Sequence, residues 1–294
     1  MAHAENGARA TPEPGGRRAA IVAELARLYD LTATLRAECP WDREQTQEDI
    51  VAYTLEETYE LVDAVRTERG SGRTASVRSE LGDLLFQVYF LARVAEEEGW
   101  YDLGEVAAGI RQKLVRRHPH IFGEGRADTP AEVRRTWDEV KRHTEGREGI
   151  FHEVPAALPA TLYAQKLQQR AAAVGFDWRA ASEVLAKIRE EITEIEAHMA
   201  LGAGGSPETP APPGSALAAE IGDLLFAVVN LARKVGADPE LELRAAGRRF
   251  QARVEGAARL AEEAGTAFAA LDLDQQEALY QQAKAEITSS KKTG

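Results

Sequence analysis

Glu80-Leu-Gly-Asp83-Leu-Leu-Phe-Gln-Val-Tyr-Phe-Leu-Ala-Arg93 returns 140 residues later (220 − 80) as Glu220-Ile-Gly-Asp223-Leu-Leu-Phe-Ala-Val-Val-Asn-Leu-Ala-Arg233. Upstream, Glu56-Glu57-x-x-Glu60 returns as Glu190-Glu191-x-x-Glu194 at an offset of 134 (190 − 56). The two offsets differ by six residues (140 − 134), which fall in the loop between the paired segments, where a change of length costs little. Two copies of one unit with the same acidic pattern imply an internal duplication.

Both copies have helical periodicity, and so does the chain around them. Apolar residues at helical spacing (Ile21, Leu25, Leu28, Leu31, Leu35) predict a first helix over residues 21–35, stopping at the Cys39-Pro40 pair. Further helices are predicted over 47–65, 77–98 and 103–117, with an amphipathic piece around 133–142. In the second half they fall over 162–174, 182–199, 217–235, 241–263 and 273–287. Loop composition marks 69–72 and the Gly- and Pro-dense stretch 202–215. Ala, Leu, Glu and Arg are plentiful and aromatics make up only 6% of the chain, which favours helix over sheet. The expected fold is all-α, two tandem related helical bundles. The expected divisions are a disordered leader at 1–18, a first domain at 19–145, a linker at 146–160, a second domain at 161–288 and a tail at 289–294.

With 48 acidic and 36 basic residues the chain carries a net charge of −12, which repels polynucleotide backbones and anionic membrane surfaces. Neither nucleic acid polymer nor membrane is an expected partner. Cys39 is the only cysteine, so no intrachain disulfide forms and nothing points to an oxidising compartment; a cytoplasmic location is the simplest expectation. No Gly-Lys pair closes a phosphate-binding loop of the Walker A type.

The acids carry the chemistry. Residues three apart share a helix face, so Glu57 with Glu60, and Glu80 with Asp83, each present two carboxylates side by side. Two such helices packed together assemble four, the arrangement by which helical bundles build metal sites. Asp83 and Asp223 lie in runs that are otherwise almost wholly apolar, where an ionised carboxylate costs several kcal/mol, in order of magnitude, unless it is paired or bound to metal. These are therefore expected to be buried acids with a metal to hold. All-oxygen ligation suits Mg²⁺, with Mn²⁺ the alternative; Zn²⁺ would want His or Cys, and a di-iron bundle would want Glu-x-x-His. Neither cluster contains a histidine. The plain alternative for any single Glu is a solvated helix face, and it loses ground because the whole set occurs twice.

The chain resembles the MazG family of nucleoside triphosphate pyrophosphohydrolases over about residues 21–284. The motifs that carry the resemblance are Cys39-Pro-Trp-Asp42, the paired Glu56-Glu57-x-x-Glu60 and Glu80-x-x-Asp83, Arg116-Arg-His-Pro-His120-Ile-Phe-Gly123, Gln165-Lys-Leu-Gln-Gln-Arg170 with Val174-Gly-Phe-Asp-Trp178, and the second acidic set. The resemblance implies the MazG-type all-α fold, a homodimer, and cleavage of nucleoside triphosphates to monophosphate and pyrophosphate in nucleotide-pool housekeeping. It implies Mg²⁺ on Glu57, Glu60, Glu80 and Asp83, and on Glu191, Glu194, Glu220 and Asp223, with Glu56 or Glu190 positioning or deprotonating the attacking water. Arg116, Arg117, Lys141, Lys187, Arg249 and Arg253 are the implied phosphate-binding cations, and Trp41 and Tyr280 the implied nucleotide contacts, with Trp178 a further stacking candidate. His118 and His120 read as turn and packing residues.

The sequence departs from the family pattern in its second half. Gly247-Arg-Arg-Phe-Gln-Ala-Arg253 lacks an Asn and has Arg249 in place of a Lys, Tyr280 stands for a Trp, and Ala216 for a Lys. By the resemblance these changes weaken the nucleotide pocket and leave the metal ligands intact. The rival reading is a non-catalytic helical interaction protein that uses the duplicated acids for structure or for binding a partner.

Overall fold

Pro40, Pro119 and Pro239 each open a helix at a position where the missing N–H is not needed. Polar side chains also make starts: Asp102 and Glu105 form a reciprocal capping box, the Asp102 carboxylate accepting from the Glu105 N–H at 2.7 Å, Ser215 caps another helix, and Asp238 caps the one that Pro239 opens. The resulting helices are α1 (Pro14–Glu38), α2 (Pro40–Glu44), α3 (Gln47–Glu68), α4 (Ala75–Glu97), α5 (Leu103–Arg117) and α6 (Pro119–Phe122). Then follow α7 (Ala160–Ala173), α8 (Ala181–Ala200), α9 (Ala216–Lys234), α10 (Pro239–Glu263), a 3₁₀ turn (Phe268–Ala270) and α11 (Leu273–Ser290). This computed structural model describes residues 14–68, 74–130, 132–133, 136, 149–152, 154–200 and 211–290. Among the described residues there is no strand, and no helix is long and apolar enough to cross a membrane.

Residues 14–18, expected in the leader, form the first turn of α1 instead. The good helix formers Arg17 to Ala20 extend the helix backwards, and Pro14 is tolerated at its first position. The loop at 69–72, most of the piece at 133–142, much of the loop at 202–215 and the end of the tail lie outside the described residues. Short helices stand after Cys39 and His118, where the sequence predicts a helix stop and a turn.

The chain divides into two units, Met1–Glu145 and Gly146–Gly294. In the first, α3 packs along α4, and α1 lies against α4. Ile50 of α3 meets Phe90 and Val94 of α4 in a small core, with Phe86 and Leu91 closing around it. In the second, α8 packs along α9, and α7 against α9 and α10. There α10 and α11 approach closely through small residues, with Ala257, Ala261 and Ala283 fully buried. Each unit thus pairs the two helices that carry its acids, which is what positions the site.

Candidate metal centre and the clusters around it

In the first unit Glu57 and Glu60 of α3 and Glu80 of α4 bring carboxylate oxygens to within 4.8 Å of one another. The crowding has an electrostatic signature: the Glu57 carboxyl is raised above its ordinary value by burial and by the negative charges of Asp83, Glu60, Glu80 and Glu56. Glu80 is raised likewise, by desolvation and by Glu60 and Asp83. Three converging carboxylates form a set of hard oxygen donors, and that chemistry fits a divalent hard cation. Asp83 stands outside the trio, although its charge reaches Glu57.

In the second unit the trio is Glu191, Glu220 and Asp223, again within 4.8 Å, and here Glu194 stands aside. A cation also stands beside this second cluster. Lys187, one turn ahead on α8, bridges Glu190 at 2.8 Å and Glu191 at 2.7 Å, and holds the buried Glu191 in the helix interface. Its ammonium is raised by the hydrogen bonds to the two glutamates. Glu194 is raised by desolvation and by the charges of Glu220 and Glu191. His198 Nε2 lies 3.8 Å from Glu220 Oε1. Glu56 and Glu190 are both exposed at the edge of their clusters.

The expectation that Asp83 and Asp223 are buried does not hold within the chain: both are exposed. So are their apolar neighbours Leu81, Leu85, Ile221, Leu225 and Val228. The apolar runs are real, but one face of each is left uncovered by the chain's own helices, and an apolar sequence by itself does not say what covers it.

The other candidates fall in different places. Trp41 is half exposed and packs edge-on against Tyr53, with ring centroids 5.8 Å apart. Arg117 is buried at the end of α5, whereas Arg116 is exposed. Arg253 of α10 stands over the Tyr280 ring of α11 at 5.9 Å and donates to its hydroxyl at 3.4 Å, while Arg249 is exposed. Among the described residues no ion pair joins Arg249 or Arg253 to the acids. Lys141 lies outside the described residues.

Trp178, the further stacking candidate, stands among residues to which the sequence assigns no role. Gln168 of α7 is buried and donates from Nε2 to the Phe226 carbonyl at 2.8 Å. Together with Phe176, Trp178 and Asn230 it lines a cavity of about 520 Å³ in the second unit. Gly175, at φ +90°, ends α7 in the left-handed conformation that glycine alone adopts freely, and turns the following aromatics towards the cavity. Asn230 stands where the first copy has Phe90.

Residues 45–122 match the MazG nucleotide pyrophosphohydrolase domain. Over 269 residues the chain is 41% identical to a nucleoside triphosphate pyrophosphohydrolase of Escherichia coli K12, covering 89% of this chain and 97% of that one. Over 248 residues it is 35% identical to the nucleoside triphosphate pyrophosphohydrolase/pyrophosphatase MazG of Thermotoga maritima, covering 84% and 89%. Identity of this extent spans both acidic pairs and both units, and the chain accordingly belongs to the MazG family of nucleoside triphosphate pyrophosphohydrolases.

Proposed function

We propose that the chain hydrolyses nucleoside triphosphates to monophosphate and pyrophosphate, and that Mg²⁺ is its metal. The observation that carries this reading is the carboxylate trio occurring on a packed helix pair in each unit. Glu57, Glu60, Glu80 and Asp83 would hold the metal in one unit, and Glu191, Glu194, Glu220 and Asp223 in the other. Bound there, Mg²⁺ supplies charge neutralisation for the triphosphate and a lowered pKa for water. Glu56 and Glu190, both exposed, would orient the attacking water or accept its proton. Lys187, paired with Glu190 and Glu191 of the second cluster, would turn to a phosphate oxygen. Arg116, Arg117, Lys141, Arg249 and Arg253 remain candidates for the phosphates, and Trp41 and Tyr280 for the nucleoside. Each unit is a MazG-type domain in this reading, and the enzyme works as a cytoplasmic homodimer in nucleotide-pool housekeeping.

The test is product analysis by ion-exchange chromatography after incubation with each common NTP and dNTP, with Mg²⁺ and with EDTA. Monophosphate plus pyrophosphate, lost in EDTA, is the expected result. Diphosphate plus phosphate would mean attack at the γ-phosphorus and overturn the reaction; no turnover at all would favour a non-catalytic interaction protein. Glu57→Gln and Glu191→Gln, singly and together, then assign the chemistry to a unit: losing a metal ligand in the active unit should cost on the order of 10²–10³ in kcat, the scale of removing one preorganised electrostatic contact.

A further inference from the structure

The two units differ at one corresponding place. In the first, the guanidinium of Arg36 lies 5.4 Å from the Phe90 ring centroid. It donates to the carbonyls of Asp42 and Gln45 and is paired with Glu97. Arg36 stands six residues before Asp42 (42 − 36), and six residues before Asp177 (177 − 171) stands Ala171. Opposite, Phe90 corresponds to Asn230 at the repeat offset of 140 (230 − 90). An arginine and a phenylalanine that fill the corner between first and fourth helix in one unit are thus an alanine and an asparagine in the other. The cavity of about 520 Å³, lined by both Ala171 and Asn230, opens there, within the range of small-molecule sites.

Its lining specifies the ligand. Phe151, Phe176, Trp178 and Phe226 supply aromatic walls, with Phe176 at the open side. The charges at the rim, Arg233 and Lys234 against Asp177, satisfy one another, so little free charge remains for a phosphate. The polar groups are two carboxamides. Gln168 is 6% exposed; its Nε2 is spent on the Phe226 carbonyl, and its buried Oε1 has no hydrogen-bond partner among the described residues. A buried acceptor without a donor costs free energy that a ligand N–H would return. Asn230 Oδ1 accepts from Arg233 at 3.1 and 2.7 Å, which leaves its amide nitrogen as a donor. One acceptor and one donor between aromatic walls match the edge of a nucleobase. Asp223, Phe226 and Asn230 follow one another at i, i+3 and i+7 on one face of α9, so the cavity begins about one turn from the carboxylates, roughly 5 Å along the axis.

We infer that the second unit reads the nucleobase in this cavity, through Gln168 and Asn230, and that Arg36 on Phe90 closes the equivalent place in the first unit. The inference rests on the proposed reaction for its biological sense, but not for its test. Two variants probe it: Gln168→Met, which keeps volume and removes the acceptor, and Ala171→Arg with Asn230→Phe, which copies the first unit. Equilibrium dialysis against labelled adenosine, guanosine, cytidine and uridine in EDTA measures base binding without catalysis. At least one nucleoside should bind the wild type, and at least tenfold more weakly both variants, with Mn²⁺ binding at the acids unchanged. Wild type that binds no nucleoside, variants that bind as well as wild type, or a parallel loss of Mn²⁺ binding would each overturn it. Nucleoside binding lost in the variants of a protein that turns over no triphosphate would leave the cavity standing and remove the reaction.

Discussion

At the scale of single residues, Lys187 makes the two acidic clusters chemically unequal. The residue at its place in the first unit is Tyr53 (187 − 134), which packs on Trp41 and brings no charge. The Glu57 cluster therefore has only carboxylates to face one another, and a pH dependence follows. Glu57 and Glu80 are raised above their ordinary value of 4.5, by desolvation first and neighbouring charges second. A carboxyl raised in the folded state contributes its stability at low pH and loses it as pH climbs through the folded pKa. Metal-free protein should therefore lose melting temperature as pH rises from about 4.5 towards neutrality, and Mg²⁺ should restore more at pH 8 than at pH 5. Glu57→Gln should raise the metal-free melting temperature at pH 8 and shrink the Mg²⁺ gain, in differential scanning fluorimetry. A Mg²⁺ gain that is flat with pH in the wild type would remove the electrostatic account of the cluster.

Helices are the next scale, and their contacts are of two kinds. The pairs α3 with α4 and α8 with α9 place acids, whereas α10 with α11 is a packing contact built from small side chains. A Cβ added at Gly256 would stand 3.0 Å from the Ala283 Cβ, tighter than atoms tolerate without movement. Gly256→Val should push the two helices apart and cost about 1–3 kcal/mol, the usual range for overpacking. It should lower the melting temperature by roughly 2–4 °C per kcal/mol in a chain of this size. Because Arg253 and Tyr280 span the same helix pair, nucleotide affinity should fall with it if those residues touch substrate. Unchanged stability in Gly256→Val would mean that α11 yields freely.

For the whole molecule, the dominant fact is apolar surface on the helices that carry the acids. Leu81, Leu85 and Val88 on α4, and Ile221, Leu225 and Val228 on α9, are each at least 38% exposed. Runs of this kind on neighbouring turns mark a face meant for another surface. A second copy of the chain would cover them and desolvate Asp83 and Asp223, as the sequence expects. Light scattering at micromolar concentration should give about twice 32.1 kDa. Leu225→Glu, which puts a charge into that face, should shift the mass towards monomer and lower turnover with it. A monomeric wild type would require another partner for the face.

Much of the molecule was legible in the order of residues alone. Helical periodicity is a local property, so α3, α4, α8 and α9 and the acids they carry could be read from the spacing of residues, and the repeat at offset 140 tied the two halves together. The helix ends were less legible where weak signals compete, as at Pro14 and after Cys39 and His118. What tertiary structure alone decided is which side chains meet. Whether Asp83 or Glu60 completes a trio depends on how α3 and α4 are rotated against each other, and whether Arg36 fills a corner depends on Phe90 lying across from it on a different helix. Those are distances between residues far apart in the chain, fixed by packing, and no pattern of neighbours along the sequence encodes them.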